Sequence, residues 1–117
     1  MNSIKHIFEP NPLACGQAVI AMITGADVAE IIRLAGTEKE TTLADMKRLL
    51  SLYGLSLSGE RRQAESVSQL PGTALLSLET PKCWHWSLYA RGKIYDPEHG
   101  VLDGFPESNR KYFWEIK

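Results

Sequence analysis

The chain has 117 residues, 44% of them hydrophobic, which fits one compact domain over residues 1–117 with a buried core. Its 13 basic and 14 acidic residues give a formal net charge of −1 without a basic stripe, which argues against a nucleic-acid partner. No apolar run approaches the roughly 20 residues of a membrane helix, and the first ten residues lack the apolar core of a signal peptide. We therefore expect a cytoplasmic protein with no membrane partner, while export by a specialised route stays open.

The first half of the chain carries helical patterns. Residues Met1 to Ala14 include Pro10 and Pro12 and predict an extended lead-in. Apolar residues then recur at helical spacing, with glycines where the segments end and with Thr42 and Asp45 spaced as a capping box. These patterns predict helices from Cys15 to Gly25, from Asp27 to Ala35 and from Leu43 to about Tyr53.

The second half carries strand patterns. Alternating apolar residues predict strands at Leu55–Gly59, Thr73–Leu78, His85–Ala90 and Lys93–Tyr95, with an edge strand at Tyr112–Ile116. Arg91 and Gly92 predict a tight hairpin turn, and the polar segment from Arg61 to Leu70 is typical of a loop or short helix. Helices followed by strands indicate an α+β fold, in which N-terminal helices pack on a small, mostly antiparallel sheet of three to five strands.

Cys15 is the first candidate for chemistry, because it lies where the extended lead-in turns into a helix. The positive end of the helix dipole favours the thiolate, which is the nucleophilic form of cysteine. Its free amide N–H is placed to bind a developing oxyanion, and Gly16 lets a substrate approach the backbone. A disulfide with Cys83 would block this thiol. We expect Cys83 itself to be a buried structural cysteine.

A thiolate enzyme needs a base from a distant part of the chain. His85 opens a predicted strand between Trp84 and Trp86, whose indole rings would wall the site off from water. His6 and His99 are expected to be exposed. A structural histidine among aromatic residues is an equally good interpretation of His85 taken alone.

Asp96 ends the strand that should pair with the strand of His85. The hairpin would place the two side chains roughly opposite each other, so that the carboxylate accepts the imidazole N–H and fixes its tautomer. The alternative is an ordinary Asp-Pro turn. The expected register favours the functional interpretation.

Two motifs together resemble a known family. The segment Asn11-Pro-Leu-Ala-Cys15-Gly-Gln-Ala resembles the nucleophile helix of papain-like peptidases of the bacteriocin-processing, double-glycine leader type, and the segment from His85 to Pro97 resembles their histidine strand and Asp-Pro turn. The resemblance implies a papain-like fold and a triad of Cys15, His85 and Asp96. It also implies acyl transfer from a peptide or related amide to Cys15, followed by hydrolysis.

One position departs from this family, which usually has a glutamine six residues before the nucleophile to donate to the oxyanion. Glu9 stands there instead, and an ionised glutamate can only accept hydrogen bonds. Asn11 and Gln17 are nearby amides that offer alternative donors. Losing one such donor costs roughly two to three orders of magnitude in rate.

Several alternatives stay open. A catalytically weak or inactive domain that binds a partner peptide is favoured by Glu9, and a toxin-like deamidase or cell-wall amidase would share the same Cys–His pair. A metal site of Cys83, His85 and His99 matches no standard zinc spacing, so no metal or cofactor is predicted. The expected partner is a peptide or protein substrate, with a partner chain or homodimer completing a cleft that so small a domain leaves open.

Overall fold

The computed structural model describes residues 4–117, so the first three residues of the predicted lead-in lie outside the described part. This part of the chain contains three α-helices, α1 Cys15–Thr24, α2 Val28–Ala35 and α3 Leu43–Ser51. The first begins at the predicted cysteine and ends at Gly25, whose left-handed φ of 81° only glycine adopts freely. The capping box predicted from Thr42 and Asp45 is confirmed, because each side chain accepts the other's backbone N–H.

The sheet is larger than predicted. Within residues 4–117 it has six strands, β1 Arg62–Gln63, β2 Thr73–Glu79, β3 Trp84–Ala90, β4 Lys93–Asp96, β5 Gly100–Leu102 and β6 Arg110–Glu115. A 3-10 helix at Val67–Gln69 follows β1, so the segment predicted as a loop or short helix contains both a strand and a helical turn. The predicted strand at Leu55–Gly59 is reduced to a single bridge between Leu57 and Ile116.

All strand pairs are antiparallel, in the order β1-β6-β2-β3-β4-β5. The prediction that the C-terminal strand lies at an edge is wrong, because β6 pairs on both sides, with β1 and with β2. Apolar residues at Phe113 and Trp114 are buried on opposite faces of this strand, as an inner strand requires. The structure therefore confirms the α+β fold and corrects its strand count.

Core residues cover both faces of the sheet. Leu75, Leu88 and Trp114 pack against the three helices, whereas Leu76, Tyr89 and Ile94 face the opposite side. Odd-numbered residues of β3 lie on this second face, because side chains alternate along a strand. His85 therefore emerges on the face turned away from the helices.

The β3–β4 hairpin sets the register that matters for function. Arg91 and Gly92 both have positive φ, 48° and 87°, as a tight two-residue turn requires. Leu88 is then paired with Tyr95, and the next position of the same register brings Ser87 beside Asp96.

Within residues 4–117, no helix is both long and apolar enough to cross a bilayer.

Candidate active site

Cys15 occupies the first turn of α1, as predicted, and is 8% exposed. The turn before it is held by Asn11, whose Oδ1 accepts the N–H of Leu13 at 2.8 Å and whose carbonyl accepts the N–H of Ala14 at 3.1 Å. The Cys15 Sγ accepts the backbone N–H of Trp86 at 3.4 Å. The sulfur thus lies in the first turn of a helix and accepts a backbone N–H from β3.

His85 links the sulfur to the predicted carboxylate. Its Nε2 donates to Asp96 Oδ1 at 3.0 Å, because an ionised carboxylate can only accept. This leaves Nδ1 for the second hydrogen bond of the ring, to Cys15. Burial lowers the pKa of His85, but the bonds to Asp96 and Cys15 outweigh burial and raise that pKa to about 10. The imidazole is therefore held in its charged form.

Asp96 is completely buried and accepts hydrogen bonds from several donors. Its Oδ1 also accepts the backbone N–H groups of Glu98 at 2.9 Å and His99 at 3.0 Å, and its Oδ2 accepts the Ser87 hydroxyl at 2.9 Å. Burial raises the pKa of this carboxyl, but His85 and the turn amides lower it by more. The β3–β4 register places Ser87 opposite Asp96, so His85 contacts Asp96 diagonally. The prediction had placed His85 and Asp96 roughly opposite each other.

Two further histidines reach the same aspartate, and neither contact was predicted from the sequence. His99 Nδ1 donates to Asp96 Oδ1 at 3.0 Å, and His6 Nε2 donates to the Asp96 carbonyl at 2.7 Å. His99 is exposed, as predicted, whereas His6 is half-buried. The three-residue step from Asp96 to His99 is a signal that a turn analysis could use, but nothing local marks His6, 90 positions away.

Glu9 lies beside this cluster. Its backbone N–H donates to the carbonyl of Pro97 at 2.8 Å, which ties the lead-in to the turn after β4. Its Oε1 is buried and has no hydrogen-bond partner among residues 4–117. Burial is the main cause that raises the pKa of this carboxyl, reinforced by the charges of Glu98 and Asp96 and opposed by those of His85 and His99.

The two amides considered as replacement donors, Asn11 and Gln17, hydrogen-bond the loop between α2 and α3. Gln17 is fully buried, and its Nε2 donates to the carbonyls of Thr37 at 2.9 Å and Lys39 at 2.8 Å. Asn11 Nδ2 donates to the Glu38 carbonyl at 3.1 Å. Both N–H groups of Gln17 are therefore engaged away from Cys15, so its proposed oxyanion role does not fit.

Gly16 also faces this loop and not a substrate. A Cβ atom at this position would lie 2.0 Å from Thr41 Oγ1, because the threonine packs directly on the helix. The expectation that Gly16 admits a substrate is therefore corrected: it admits Thr41. Trp86 fixes the same residue, since its Nε1 donates to the Thr41 carbonyl at 3.0 Å.

The two tryptophans beside His85 differ in exposure. Trp86 is half-buried and packs at 6.0 Å against Trp114, whereas Trp84 is 49% exposed and stacks at 5.9 Å on Tyr112. Only Trp86 is placed to shield the site from water. Trp84 forms an open aromatic wall.

A cleft of about 180 Å³ opens at the sulfur. Cys15 and His85 lie in its lining together with Leu13, Trp84 and Cys83. Both cysteines are free thiols, and Cys83 is exposed at the cleft. The expectation that Cys83 is a buried structural cysteine is therefore wrong, because the turn before β3 carries it to the surface.

The ligand set considered from the sequence for a metal also changes. Within residues 4–117, one group of possible ligands stands out: His85, Asp96 and His99 bring ligand atoms within 4.8 Å of one another. In this group Asp96 Oδ1 accepts hydrogen bonds from both histidines.

Solved structures share this architecture. The chain is similar to the peptidase domain of Streptococcus ComA, a bifunctional ABC transporter of a quorum-sensing pathway, with a TM-score of 0.64 and 17% identity over 95% of this chain and 96% of that one. It is also similar to a double-glycine motif protease from an AMS/PCAT transporter in complex with its leader peptide, with a TM-score of 0.65 and 16% identity over 97% and 92%. Comparison with protein-family models and with curated proteins finds no match. The chain therefore has the papain-like α+β fold of double-glycine peptidase domains, as its motifs predict.

Proposed function

We propose that the protein is a cysteine peptidase in which Cys15 is the nucleophile, His85 the acid–base group and Asp96 the residue that orients His85. The observation that carries the proposal is the single imidazole that bonds a thiol at a helix start and a buried carboxylate. A charged imidazole beside a thiolate is the resting state that such catalysis needs. The cleft at the sulfur supplies access for a substrate.

The chemistry follows from the two ring nitrogens of His85. The Cys15 thiolate attacks the scissile carbonyl carbon, and the C–S bond forms as the carbonyl oxygen takes the electron pair. His85 Nδ1–H then gives its proton to the leaving amine as the C–N bond breaks. Water loses a proton to the now neutral His85, attacks the thioester and releases the acid and the Cys15 sulfur. Asp96 holds Nε2 throughout and stabilises the imidazolium.

A peptide ending in two glycines is the substrate class that we propose. The support is structural likeness to a double-glycine motif protease bound to a leader peptide. The cleft beside Cys15 is small, about 180 Å³, which suits residues without bulky side chains next to the scissile bond. A cytoplasmic location and a partner chain or homodimer that completes the cleft stay predictions.

Competition between the two thiols tests the nucleophile. Iodoacetamide should label Cys15 faster than Cys83 near neutral pH, although Cys83 is the more exposed thiol. The ratio should collapse in His85→Ala, which removes the partner of the sulfur. Peptide mapping by mass spectrometry reads both sites in one sample, so Cys83 serves as the internal control.

Cleavage is measured on an acylated peptide that ends in Gly-Gly-aminomethylcoumarin, in a Cys83→Ser background. Cys15→Ala should abolish release of the fluorophore, and His85→Ala should lower it by roughly four orders of magnitude or more. Equal, slow labelling of the two cysteines, with no Cys15-dependent cleavage, would refute the peptidase.

A papain-like domain that binds a peptide without cleaving it is the second candidate, and Glu9 is the observation that favours it. An ionised carboxylate there would repel the oxyanion. Isothermal calorimetry with the uncleaved probe peptide separates the two candidates, because a binding domain would bind the peptide equally well in wild type and in Cys15→Ala without turnover.

A further inference from the structure

One oxygen of Asp96 accepts hydrogen bonds from two imidazole rings. His85 Nε2 and His99 Nδ1 both donate to Asp96 Oδ1 at 3.0 Å, because an ionised carboxylate can only accept. The two ring planes lie at 78° with their centroids 6.3 Å apart, so the two N–H groups approach the oxygen from different directions. The proposed reaction uses His85 and gives the second ring no task.

His99 lies on the solvent side of this carboxylate. The side chain of Asp96 is completely buried and that of His85 is 3% exposed, whereas that of His99 is 43% exposed. A hydrogen-bonded series therefore runs from Cys15 through His85 and Asp96 to His99, and the His99 ring is its exposed end. The residues that line the cleft at the sulfur do not include His99, so the ring meets the series from behind.

The turn after β4 fixes where the His99 ring lies. The backbone N–H of His99 donates to the same Asp96 oxygen at 3.0 Å, and Gly100 follows with a φ of 93°, which glycine adopts freely. Gly100 then pairs with Asp96 across β4 and β5. Because its backbone is already held against Asp96, His99 is pre-organised to donate from its ring as well.

The orientation of the Asp96 carboxylate matters for His85, since the carboxylate fixes the ring and stabilises the imidazolium. Oδ2 accepts the Ser87 hydroxyl, and Oδ1 accepts the His99 ring on the side away from His85, so rotation of the carboxylate is opposed at both oxygens. Without the His99 N–H, water would take its place at Oδ1. Such a water exchanges freely, and its dielectric response weakens the pair between Asp96 and His85.

We propose that His99 is a positioning residue of the peptidase: its Nδ1–H holds the Asp96 carboxylate in the orientation that keeps the His85 ring directed at Cys15. The inference rests on the proposed peptidase function and extends it by a fourth residue, which acts through Asp96 and does not touch the substrate. His99 keeps its Nδ1 proton throughout, so the proton balance of the proposed reaction is unchanged.

Three substitutions separate the N–H donor from the rest of the side chain. Asparagine carries its Nδ2 where histidine carries Nδ1, leucine has the shape of asparagine without a donor, and phenylalanine has a ring without one. In cleavage of the Gly-Gly-aminomethylcoumarin peptide by the full chain, His99→Asn should keep kcat within about threefold of wild type, whereas His99→Leu and His99→Phe should lose roughly tenfold or more. KM should stay within about twofold in all three, because the cleft is untouched.

Glu107→Gln is the matched control, because Glu107 is an exposed carboxyl beside His99 that lies outside the hydrogen-bonded series. Its kcat should stay within about twofold of wild type. Circular dichroism checks that each variant is folded under the assay conditions. If His99→Leu does not fold, His99→Phe gives the same comparison.

The proton on His85 Nε2 gives a second readout, which a merely structural role of His99 would not move. Its NMR resonance lies downfield when the bond to Asp96 is short, and nitrogen-15 labelling of histidine identifies it by its loss in His85→Gln. His99→Leu and His99→Phe should shift the resonance upfield and speed its exchange with water. His99→Asn should return it to the wild-type position.

Three results would overturn the assignment. Equal kcat in His99→Asn and His99→Leu would mean that the N–H is not needed, and wild-type kcat in His99→Phe would mean that the volume of the ring suffices. A downfield shift in His99→Leu would mean that His99 competes with His85 for Oδ1. Each of these leaves the peptidase standing where cleavage depends on Cys15. No Cys15-dependent cleavage by wild type, with slow and unselective alkylation of Cys15, overturns the peptidase itself and the His99 role with it.

Discussion

Two carboxyl groups lie near the same imidazole, those of the buried Asp96 and the half-buried Glu9, and their pKa values shift in opposite directions. Asp96, at the end of β4, accepts hydrogen bonds from two backbone amides, a hydroxyl and two imidazoles. Glu9, on the lead-in segment, has one oxygen that finds no hydrogen-bond partner in the described part of the chain. The pKa of Asp96 is therefore held well below its usual range, while that of Glu9 is raised.

The difference shows that burial alone does not decide the charge of a carboxyl. Burial raises the pKa of both groups, and only the donors that the fold supplies reverse it at Asp96. A tight turn after β4 brings the amides of Glu98 and His99 to Asp96, whereas no amide of residues 4–117 donates to Glu9 Oε1. Turn geometry thus shifts the pKa values of the two acids in opposite directions.

Removing the charge of Asp96 should have the largest effect. Asp96→Asn should lower kcat by roughly 10⁴, because the amide no longer fixes the tautomer of His85. It should also cost about 3 kcal/mol in the free energy of unfolding, since the buried imidazolium loses its counter-charge. Steady-state cleavage of the Gly-Gly peptide and urea denaturation give the two values.

Asp103→Asn is the matched control, because Asp103 pairs with Lys93 in solvent on the neighbouring strand pair. An exposed pair of this kind contributes at most about 1 kcal/mol. Equal destabilisation by the two substitutions would contradict the larger contribution expected of the buried, hydrogen-bonded carboxylate of Asp96.

The pH dependence of stability sharpens the same comparison. His85 binds its proton more tightly in the folded chain, so its contribution is fully present below the ordinary histidine pKa and is lost as pH rises toward about 10. Asp96 acts oppositely, and its contribution disappears only in strong acid. The unfolding free energy from urea denaturation should therefore fall as pH rises from roughly 6.5 to 10. Persistence of this slope in His85→Gln would assign it to other groups.

The sequence pattern predicts those parts of the site that are formed by residues close together in the chain. The prolines before Cys15 predict where the helix begins, and the turn at Arg91 and Gly92 predicts the β3–β4 register. The same register places His85 and Asp96 on one face. These features depend on residues close together in the chain, so the sequence alone suffices for them.

Long-range packing decides the rest. The approach of His6 to Asp96, the fit of Thr41 against Gly16 and the insertion of β6 between β1 and β2 join segments far apart in the chain. No spacing rule connects such segments before the fold is known. The unpartnered oxygen of Glu9 belongs to this class as well, because a missing partner is visible only when all neighbours are in place.

The smallest expected effect concerns the outer oxygen of Asp96. Ser87 is fully buried and donates its hydroxyl to Oδ2 at 2.9 Å, the one donor on that oxygen among the described residues. Ser87→Ala should cost about 1–2 kcal/mol in unfolding free energy, because a buried charged oxygen loses its partner. Ser51→Ala, which removes an exposed hydroxyl bonded to the Arg48 carbonyl, should change stability by less than about 0.5 kcal/mol. Equal values for the two variants in urea denaturation would mean that the Ser87 hydroxyl does not stabilise the charge of Asp96. The donors that distinguish Asp96 from Glu9 would then be His85 and the turn amides, all of which bond Oδ1.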